Sequence, residues 1–289
     1  MRYHIGIKDN IKYIKLEDNE PLTPIVLQEL TKYKQVLFDQ NFNQDINNLP
    51  DNITHLVLNQ TYDREINKYP ENLISLTLGH YYDKKLINLP ITLKYINLGS
   101  LFNQNIDDLP DNIEELLLSH NFDKDIKKLP TNLKKIYFYG MYDKSLSNLP
   151  HKVTHITTSY FFNQELINLP PNLSYLNLGC YFNQSLDFLP PSLLELHIGW
   201  FYNKSLDNLP PNLKFLRLDC KNLEYTLDLL PDTIETLIIP TNYGFMINKL
   251  PKNLKYLYFY ETYKYYLELL NLCNKNNVYL EILYYININ

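Results

Sequence analysis

A fixed spacing of prolines constrains the fold of this chain more than any other sequence feature. Nine prolines lie 20 residues apart, at Pro50, Pro70, Pro90, Pro110, Pro130, Pro150, Pro170, Pro190 and Pro210. One inserted residue moves the next member to Pro231, and Pro251 restores the spacing. Self-similarity at a fixed period of this length is typical of solenoid proteins, in which each repeat forms one coil. The 289 residues therefore predict one repeat array rather than two ordinary domains.

Each repeat follows the pattern L-P-x-N-L-x-x-L-x-L-G-x-x-F-N-Q-x-I-x-x, in which Leu and Ile interchange, as do Phe and Tyr, and Asn and Asp. The segment L-x-x-L-x-L is the apolar triad of leucine-rich repeats, and Leu73, Leu76 and Leu78 form one example. Alternate residues of a strand point to opposite faces, so the fourth and sixth positions turn inward and the fifth turns outward. The pattern predicts one short strand per coil, and stacking would join the strands into one parallel sheet.

The return leg of each coil carries Leu followed by Pro, which opposes a helix. Proline lacks the backbone N–H and biases the residue before it toward extended geometry. We expect extended or 3₁₀ return legs, and weak curvature because thin return legs barely splay the coils apart. The chain has no alanine and 26 tyrosines, and this composition also predicts little α-helix.

Residues 41–260 are assigned to the regular 20-residue repeats. Weaker triads around Ile14 and Val36 predict that residues 1–40 form degenerate N-terminal capping coils. Residues 261–289 are predicted to cap the other end with a helix and a closing strand, because a bare terminal strand invites aggregation. The apolar face of the predicted capping helix consists of Tyr263, Tyr266, Leu267 and Leu270.

The turn after each strand holds an aromatic residue followed by Asn or Asp in nine consecutive coils, from Phe42-Asn43 to Tyr202-Asn203. Because Asn and Asp substitute for each other, the shared group is a side-chain oxygen that can accept backbone N–H bonds left open by a tight turn. Every Asp of this set is followed by Lys or Arg, which would offset repulsion between stacked carboxylates. We predict a hydrogen-bonding role for this position, not a catalytic one.

The turn F-N-Q-x-I followed by Leu-Pro, clearest at residues 162–170 and 182–190, resembles the FNIP repeat, a relative of the leucine-rich repeat. The resemblance extends over about residues 33–270, although FNIP repeats tend to be slightly longer than 20 residues. Because the family is known from social amoebae and giant viruses of amoebae, the resemblance implies an amoebal or giant-viral origin. Members often carry an N-terminal F-box that recruits a cullin ubiquitin ligase. This implies an alternative function in ubiquitin-ligase substrate recognition, although residues 21–30 are the only suggestive segment and an F-box is not evident.

The sequence offers no motif for catalysis or cofactor binding. Seven histidines form no HExxH or metal-spaced pair, three cysteines form no CxxC clip, and seven glycines form no phosphate loop. We therefore expect no enzymatic activity, no cofactor and no metal. A net charge of −5 argues against a nucleic-acid partner, and no apolar run approaches the roughly 20 residues that span a bilayer. Without a secretory signal, a cytoplasmic location is expected, in the host cytoplasm if the protein is viral.

The residues predicted for the outward sheet face differ from one repeat to the next. Exposed aromatic and Arg side chains have no folding reason to lie there, and these residue types carry interface energy. We predict a non-catalytic scaffold that binds a protein partner through this face, a host protein if the chain is viral. We leave the oligomeric state open. The sharpest candidate patch combines Trp200, the only tryptophan, with His197, Phe215 and Arg217. The predicted partner-binding residues are Tyr95, Tyr137, His155, Tyr175, His197, Trp200, Phe215, Arg217, Tyr256 and Tyr258.

Overall fold

The computed structural model describes residues 2–8, 10–260 and 262–283. The chain divides into two compact units, Met1–Tyr142 and Asp143–Asn289. In the first unit the elements are β1 (Tyr3–Lys8), β2 (Ile11–Leu16), α1 (Pro24–Leu30), β3 (Gln35–Phe38), β4 (His55–Val57), β5 (Ser75–Thr77), β6 (Tyr95–Asn97), β7 (Glu115–Leu117) and β8 (Lys135–Tyr137). In the second they are β9 (His155–Thr157), β10 (Tyr175–Asn177), β11 (Glu195–Ile198), β12 (Phe215–Leu218), β13 (Thr236–Ile238), β14 (Tyr256–Tyr260), α2 (Tyr266–Lys275) and β15 (Tyr279–Leu283).

Within each unit the strands pair in chain order, one strand per coil. In the first unit β2 to β8 are parallel and β1 is antiparallel to β2. In the second unit β9 to β15 are all parallel. Equivalent triad residues lie opposite each other, as Leu176, Leu196 and Leu216 do on three successive strands. This arrangement confirms the predicted leucine-rich-repeat-like solenoid with little helix.

The inward triad positions form the core of both units. Leu76 and Leu196 are completely buried, whereas the outward residues on either side of them are half-buried. Burial of a leucine side chain contributes roughly 1.5–3 kcal/mol relative to exposure. A coil cannot bury these leucines alone, so the stacking of equivalent coils provides the stability.

The return legs between β3 and β14 consist of turns and extended backbone, without helix. Each recurring proline opens a tight turn just before the strand. For example, Leu73 N–H donates to the Pro70 carbonyl oxygen at 3.1 Å, and Leu193 N–H donates to that of Pro190 at 3.1 Å. The predicted exclusion of helix from these legs is correct for this part of the chain.

The aromatic residue of each turn belongs to the core. Phe162, Phe182 and Tyr202 are buried and stack with ring centroids 6.1 Å apart and nearly parallel ring planes. In the first unit Phe42, Tyr62 and Tyr82 stack in the same way, at 6.5 and 6.3 Å. The column is a packing feature, because rings in equivalent coils lie one above another within the 4.5–7 Å range of favourable ring pairs.

The Asn or Asp after this ring links one coil to the next. Asp83 Oδ1 accepts the Asn103 N–H at 2.8 Å, and Asn103 Oδ1 accepts the Asp123 N–H at 3.0 Å. The acceptor role predicted from the sequence is therefore observed, but the donor lies 20 residues away instead of within the same turn. The residue after this Asn or Asp can also bond to the preceding coil. For example, Arg64 Nε donates to the Asn43 carbonyl oxygen at 2.6 Å.

Glycine recurs after the strand because neighbouring coils approach closely there. A Cβ atom at Gly179 would lie 1.7 Å from the Ser159 carbonyl oxygen, and one at Gly79 would lie 1.7 Å from that of Asn59. Real Cβ atoms do not come this close to backbone, so only glycine fits without moving a coil.

The N-terminal segment is not made of degenerate coils alone. Ile14 and Val36 are buried triad residues on β2 and β3, but the sequence analysis did not include β1 or the seven-residue helix α1. Thr23 caps α1 by accepting the Val26 N–H at 3.4 Å, and a proline occupies its first turn. Both features favour helix initiation.

At the C-terminus, α2 and β15 follow the last regular coil, and β15 pairs in parallel with β14. The predicted apolar face of this helix is wrong. Leu269 and Cys273 are the buried residues of α2, whereas Leu267 is 68% exposed. The helix begins at Tyr266, so Tyr263 packs in the core as the next aromatic ring after Tyr243 and does not lie on the helix. The last residues of the predicted closing strand, 284–286, lie outside the described residues.

Candidate functional site

The outward face of the sheet in the second unit carries a connected run of rings, named here the ring row: His155, Tyr175, His197 and Phe215. Ring centroids are 5.6 Å apart for His155 and Tyr175, 5.4 Å for Tyr175 and His197, and 5.2 Å for His197 and Phe215. All four side chains are half-buried, because each covers part of the next strand's outward surface. The structure therefore brings together four of the residues predicted from the sequence.

The ring row follows a zigzag path across the strands. Tyr175, Glu195 and Phe215 lie opposite one another in register, and His197 belongs to the neighbouring line with Asn177. The His197 ring therefore bridges diagonally from Tyr175 to Phe215. Diagonal neighbours lie within reach of aromatic side chains.

Two carboxylates on this face, those of Glu195 and Asp219, form hydrogen bonds with neighbouring polar side chains. His197 Nε2 lies 2.7 Å from Glu195 Oε1, and Arg217 Nε donates to Asp219 Oδ2 at 2.7 Å. The hydrogen bond that Arg217 donates to Asp219 is the main reason that the pKa of the Arg217 guanidinium is raised. Burial raises the pKa of the Tyr175 hydroxyl, and the nearby Glu195 carboxylate adds to this effect. A partner would therefore meet polar groups that already have partners within the chain.

Trp200 does not join the ring row. It lies beyond the end of β11, and its described contact is with Lys221, whose Nζ lies 5.7 Å from the ring centroid. His197 and Phe215 of the predicted patch do stack on each other, and Arg217 lies on the same strand as Phe215.

The remaining predicted residues occupy outward strand positions and are not members of the ring row. Tyr95 and Tyr137 of the first unit are half-buried and lie in different lines, since Tyr95 is opposite Glu115 and Tyr137 is opposite Leu117. On β14, Tyr256 is exposed and its ring meets the Tyr279 ring edge-on at 6.1 Å, while Tyr258 is half-buried.

A second group of rings, which the sequence analysis missed, lies in the turns after β9 to β11. We name it the turn cluster: Tyr160, Phe161, Tyr181 and Phe201. These side chains are 41–51% exposed, and their rings contact one another with centroids 4.6–5.4 Å apart. Large exposed rings in mutual contact form an apolar surface patch of the kind that marks interaction sites.

A sequence signal for the turn cluster did exist. Phe161, Tyr181 and Phe201 directly precede the buried aromatic residue of their coils. In the first unit this position is held by polar, aliphatic or aromatic residues, namely Asn41, Thr61, Tyr81, Leu101, Asn121 and Met141. The alternation of side chains that predicts exposure on a strand ends at the turn, so it does not predict that these rings are exposed. Tyr81 is the counterpart in the first unit, and it is also exposed.

No cluster of three or more His, Cys, Asp or Glu side chains suits a metal ion in the part of the chain that the structure describes. The partners described for His197 are Glu195 and two aromatic rings, none of which is a serine or cysteine nucleophile. Burial raises the pKa of the Cys220 thiol to about 12 and that of Cys273 to about 11, so neither is a ready thiolate.

Neither of the two helices in the described residues has the length and apolar character needed to cross a bilayer.

Strand order, triad burial and one-strand coils define the chain as a leucine-rich-repeat-like repeat protein. A sequence model of the FNIP repeat matches residues 69–101 and 162–201, so these two segments are similar to FNIP repeats. Among solved structures, YopM from Yersinia enterocolitica WA-314 aligns with 19% identity and a TM-score of 0.37. The alignment covers 80% of this chain and 65% of YopM, which is less than two thirds of that protein. No curated protein sequence matches the chain.

Proposed function

We propose that this protein is a non-catalytic scaffold that binds a protein partner through the outward surface of its second unit. The observation that carries the proposal is the turn cluster. Its rings are large, exposed and in contact with one another, yet coils with Asn or Thr at the same position fold with the same strand pairing. Folding does not require these rings, whereas tyrosine and other aromatic residues are common in binding hot spots.

The ring row supports the same proposal. It presents half-buried aromatic surface that a partner can cover at little conformational cost, since stacking on neighbouring rings already restricts each side chain. The hydrogen-bonded pair of His197 and Glu195 and the ion pair of Arg217 and Asp219 lie beside this apolar surface and favour a partner with a mixed apolar and polar surface.

The alternative function in ubiquitin-ligase substrate recognition has less support from this chain. An F-box requires roughly 40 residues of helical structure that binds an adaptor. The described residues between 2 and 38 form three strands and one seven-residue helix, α1. These observations favour the scaffold function.

The proposal is tested by affinity purification from an amoebal lysate, with quantitative mass spectrometry of the captured proteins. We expect the native chain to retain a defined set of proteins, and the double variant Tyr181→Ala, Phe201→Ala to lose at least tenfold of that capture. The matched control is Tyr81→Ala, which removes an exposed ring at the same repeat position in the first unit. Equal capture by the native chain and the double variant would show that the turn cluster is not the binding surface.

A further inference from the structure

The outer edge of β1 is an open strand edge. β1 pairs only with β2 among the described strands, and its ladder places Ile5 opposite Ile14. The Arg2 carbonyl oxygen accepts the Glu17 N–H at 3.0 Å, so even-numbered residues of β1 point their backbone groups toward β2. The N–H and C=O groups of Tyr3, Ile5 and Ile7 therefore point away from β2.

The side chains of the same three residues extend the core beyond its last covered strand. Tyr3 and Ile5 lie opposite Leu16 and Ile14, which are buried, and opposite residues of an antiparallel pair share a face. Tyr3, Ile5 and Ile7 are nevertheless 49%, 42% and 75% exposed. Natural edge strands are usually protected by inward-pointing charges, proline or a bulge, and this row of β1 has no charged residue or proline.

At Gly6 the opposite face of β1 is covered by its own chain. A Cβ atom at Gly6 would lie 2.5 Å from the hydroxyl oxygen of Tyr13, so the Tyr13 ring lies directly over Gly6. Together with a six-residue ladder to β2, this holds β1 in place and leaves its edge and inner row available.

We propose that β1 pairs with β1 of a second copy of this chain, antiparallel and centred on Ile5, to form a two-fold symmetric dimer. In this register Tyr3 faces Ile7 of the other copy and Ile5 faces Ile5. The outward backbone groups lie at residues 3, 5 and 7, which are symmetric about Ile5. The outward N–H and C=O groups of one copy can therefore all form hydrogen bonds with those of the other. The side chains of Tyr3, Ile5 and Ile7 from the two copies then form one continuous apolar row. Self-complementarity of this kind is what a two-fold interface requires.

The flanking charges set a limit on affinity. Arg2 and Lys8 of opposite copies face each other in this register, although Arg2 already forms an ion pair with Asp18 at 3.2 Å. Six residues from each copy also bury less surface than the roughly 1,200–2,000 Å² of a standard interface. We therefore expect a weak dimer, with a dissociation constant on the order of 10 µM.

Sedimentation velocity of the full chain across the micromolar range tests the dimer. We expect the sedimentation coefficient to rise from monomer to dimer with concentration, and Ile5→Lys to weaken association at least tenfold by placing two ammonium groups together on the symmetry axis. The matched control is Ile25→Lys, because Ile25 is also exposed and lies on α1, away from the strand edge. A native chain that stays monomeric, or a dimer unchanged by Ile5→Lys, would overturn the proposal.

Cross-linking tests the register and does not depend on the behaviour of the lysine variant. In a Cys180→Ser background, oxidation of Ile5→Cys should yield a covalent dimer, since the two positions face each other. Ile7→Cys should yield at least tenfold less, because residue 7 faces residue 3 and its own copies lie roughly 13 Å apart along the strand, beyond the roughly 7 Å limit for a disulfide. Equal cross-linking at both positions would exclude the proposed pairing.

Discussion

The side-chain oxygen of Asn163 accepts the backbone N–H of Asn183 at 2.8 Å, and these two residues occupy the same position in successive coils. Gln184 Nε2 adds a bond to the Asn163 carbonyl oxygen at 3.1 Å. The turns are therefore joined by a ladder of side-chain-to-backbone bonds, in addition to the strand ladder.

We expect Asn163→Ala to destabilise the protein by about 1–3 kcal/mol, because the Asn183 N–H would lose its acceptor in a half-buried turn. Asn163→Asp, which keeps the oxygen, should cost much less, and the chain itself uses Asp at this position in other coils. Urea unfolding followed by circular dichroism measures both. If the two variants unfold at the same urea concentration, the ladder contributes nothing to stability.

The buried and exposed rings of one turn should behave oppositely on truncation. Phe182 is completely buried between Phe162 and Tyr202, so Phe182→Ala should cost about 3–5 kcal/mol. Tyr181→Ala, one residue earlier and 41% exposed, should change stability by less than about 0.5 kcal/mol while reducing partner capture. Thermal unfolding of both variants decides this, and a large stability loss for Tyr181→Ala would mean that the turn cluster is needed for folding.

Two tyrosines in the buried ring columns should respond differently to loss of the hydroxyl group. The Tyr62 hydroxyl is buried without a hydrogen-bond partner among the described residues, whereas the Tyr202 hydroxyl donates to the Ser205 carbonyl oxygen at 2.8 Å. Tyr62→Phe should therefore be neutral or slightly stabilising, and Tyr202→Phe should cost about 1 kcal/mol. The difference in unfolding midpoint between the two variants is the measurement, and the reverse order would contradict the structure.

Alkaline pH should unfold the protein through its buried tyrosines. Burial raises the pKa of Tyr82 and of Tyr142 to about 12, whereas tyrosine in an unfolded chain titrates near 10. The folded state thus holds these protons more tightly. Stability is unaffected below about pH 10 and falls as the pH rises from 10 toward 12, because the unfolded state loses its protons first.

Circular dichroism and phenolate absorbance, recorded together, test this pH dependence. Exposed tyrosines should ionise near pH 10 with the fold intact, and the last phenolates should appear only as the strand signal is lost. The double variant Tyr82→Phe, Tyr142→Phe should move the alkaline transition to higher pH. Ionisation of all 26 tyrosines in one step with the fold retained would refute this account.

Much of the fold could be predicted from particular residues. The spacing of Pro50 to Pro210 set the coil length, and the triad of Leu73, Leu76 and Leu78 predicted which side chains are buried. Both depend on local rules, namely proline geometry and the alternation of a strand. The predicted face of the C-terminal helix failed because α2 begins three residues later than the apolar pattern suggested, and its packing against the last coil decided the buried side.

The candidate site was predicted less completely. Outward strand positions such as Tyr175 and Phe215 follow from alternation, but their connection through His197 is diagonal and depends on the register between coils. The turn cluster and Trp200 lie beyond the strands, where alternation no longer predicts the direction of a side chain. The ten predicted partner-binding residues remain predictions until a partner is measured.

The amino-acid order alone determined the repeat length, the inward leucines and the exclusion of helix from the return legs. It also determined the acceptor oxygen that follows the aromatic residue in nine consecutive coils. Each of these follows from the chemistry of neighbouring residues. The tertiary structure decided which coil each side chain reaches, since residues 20 positions apart meet only when coils stack. It placed the Asn163 oxygen on the next turn, gathered Tyr160, Phe161, Tyr181 and Phe201 into one patch, and left the edge of β1 open.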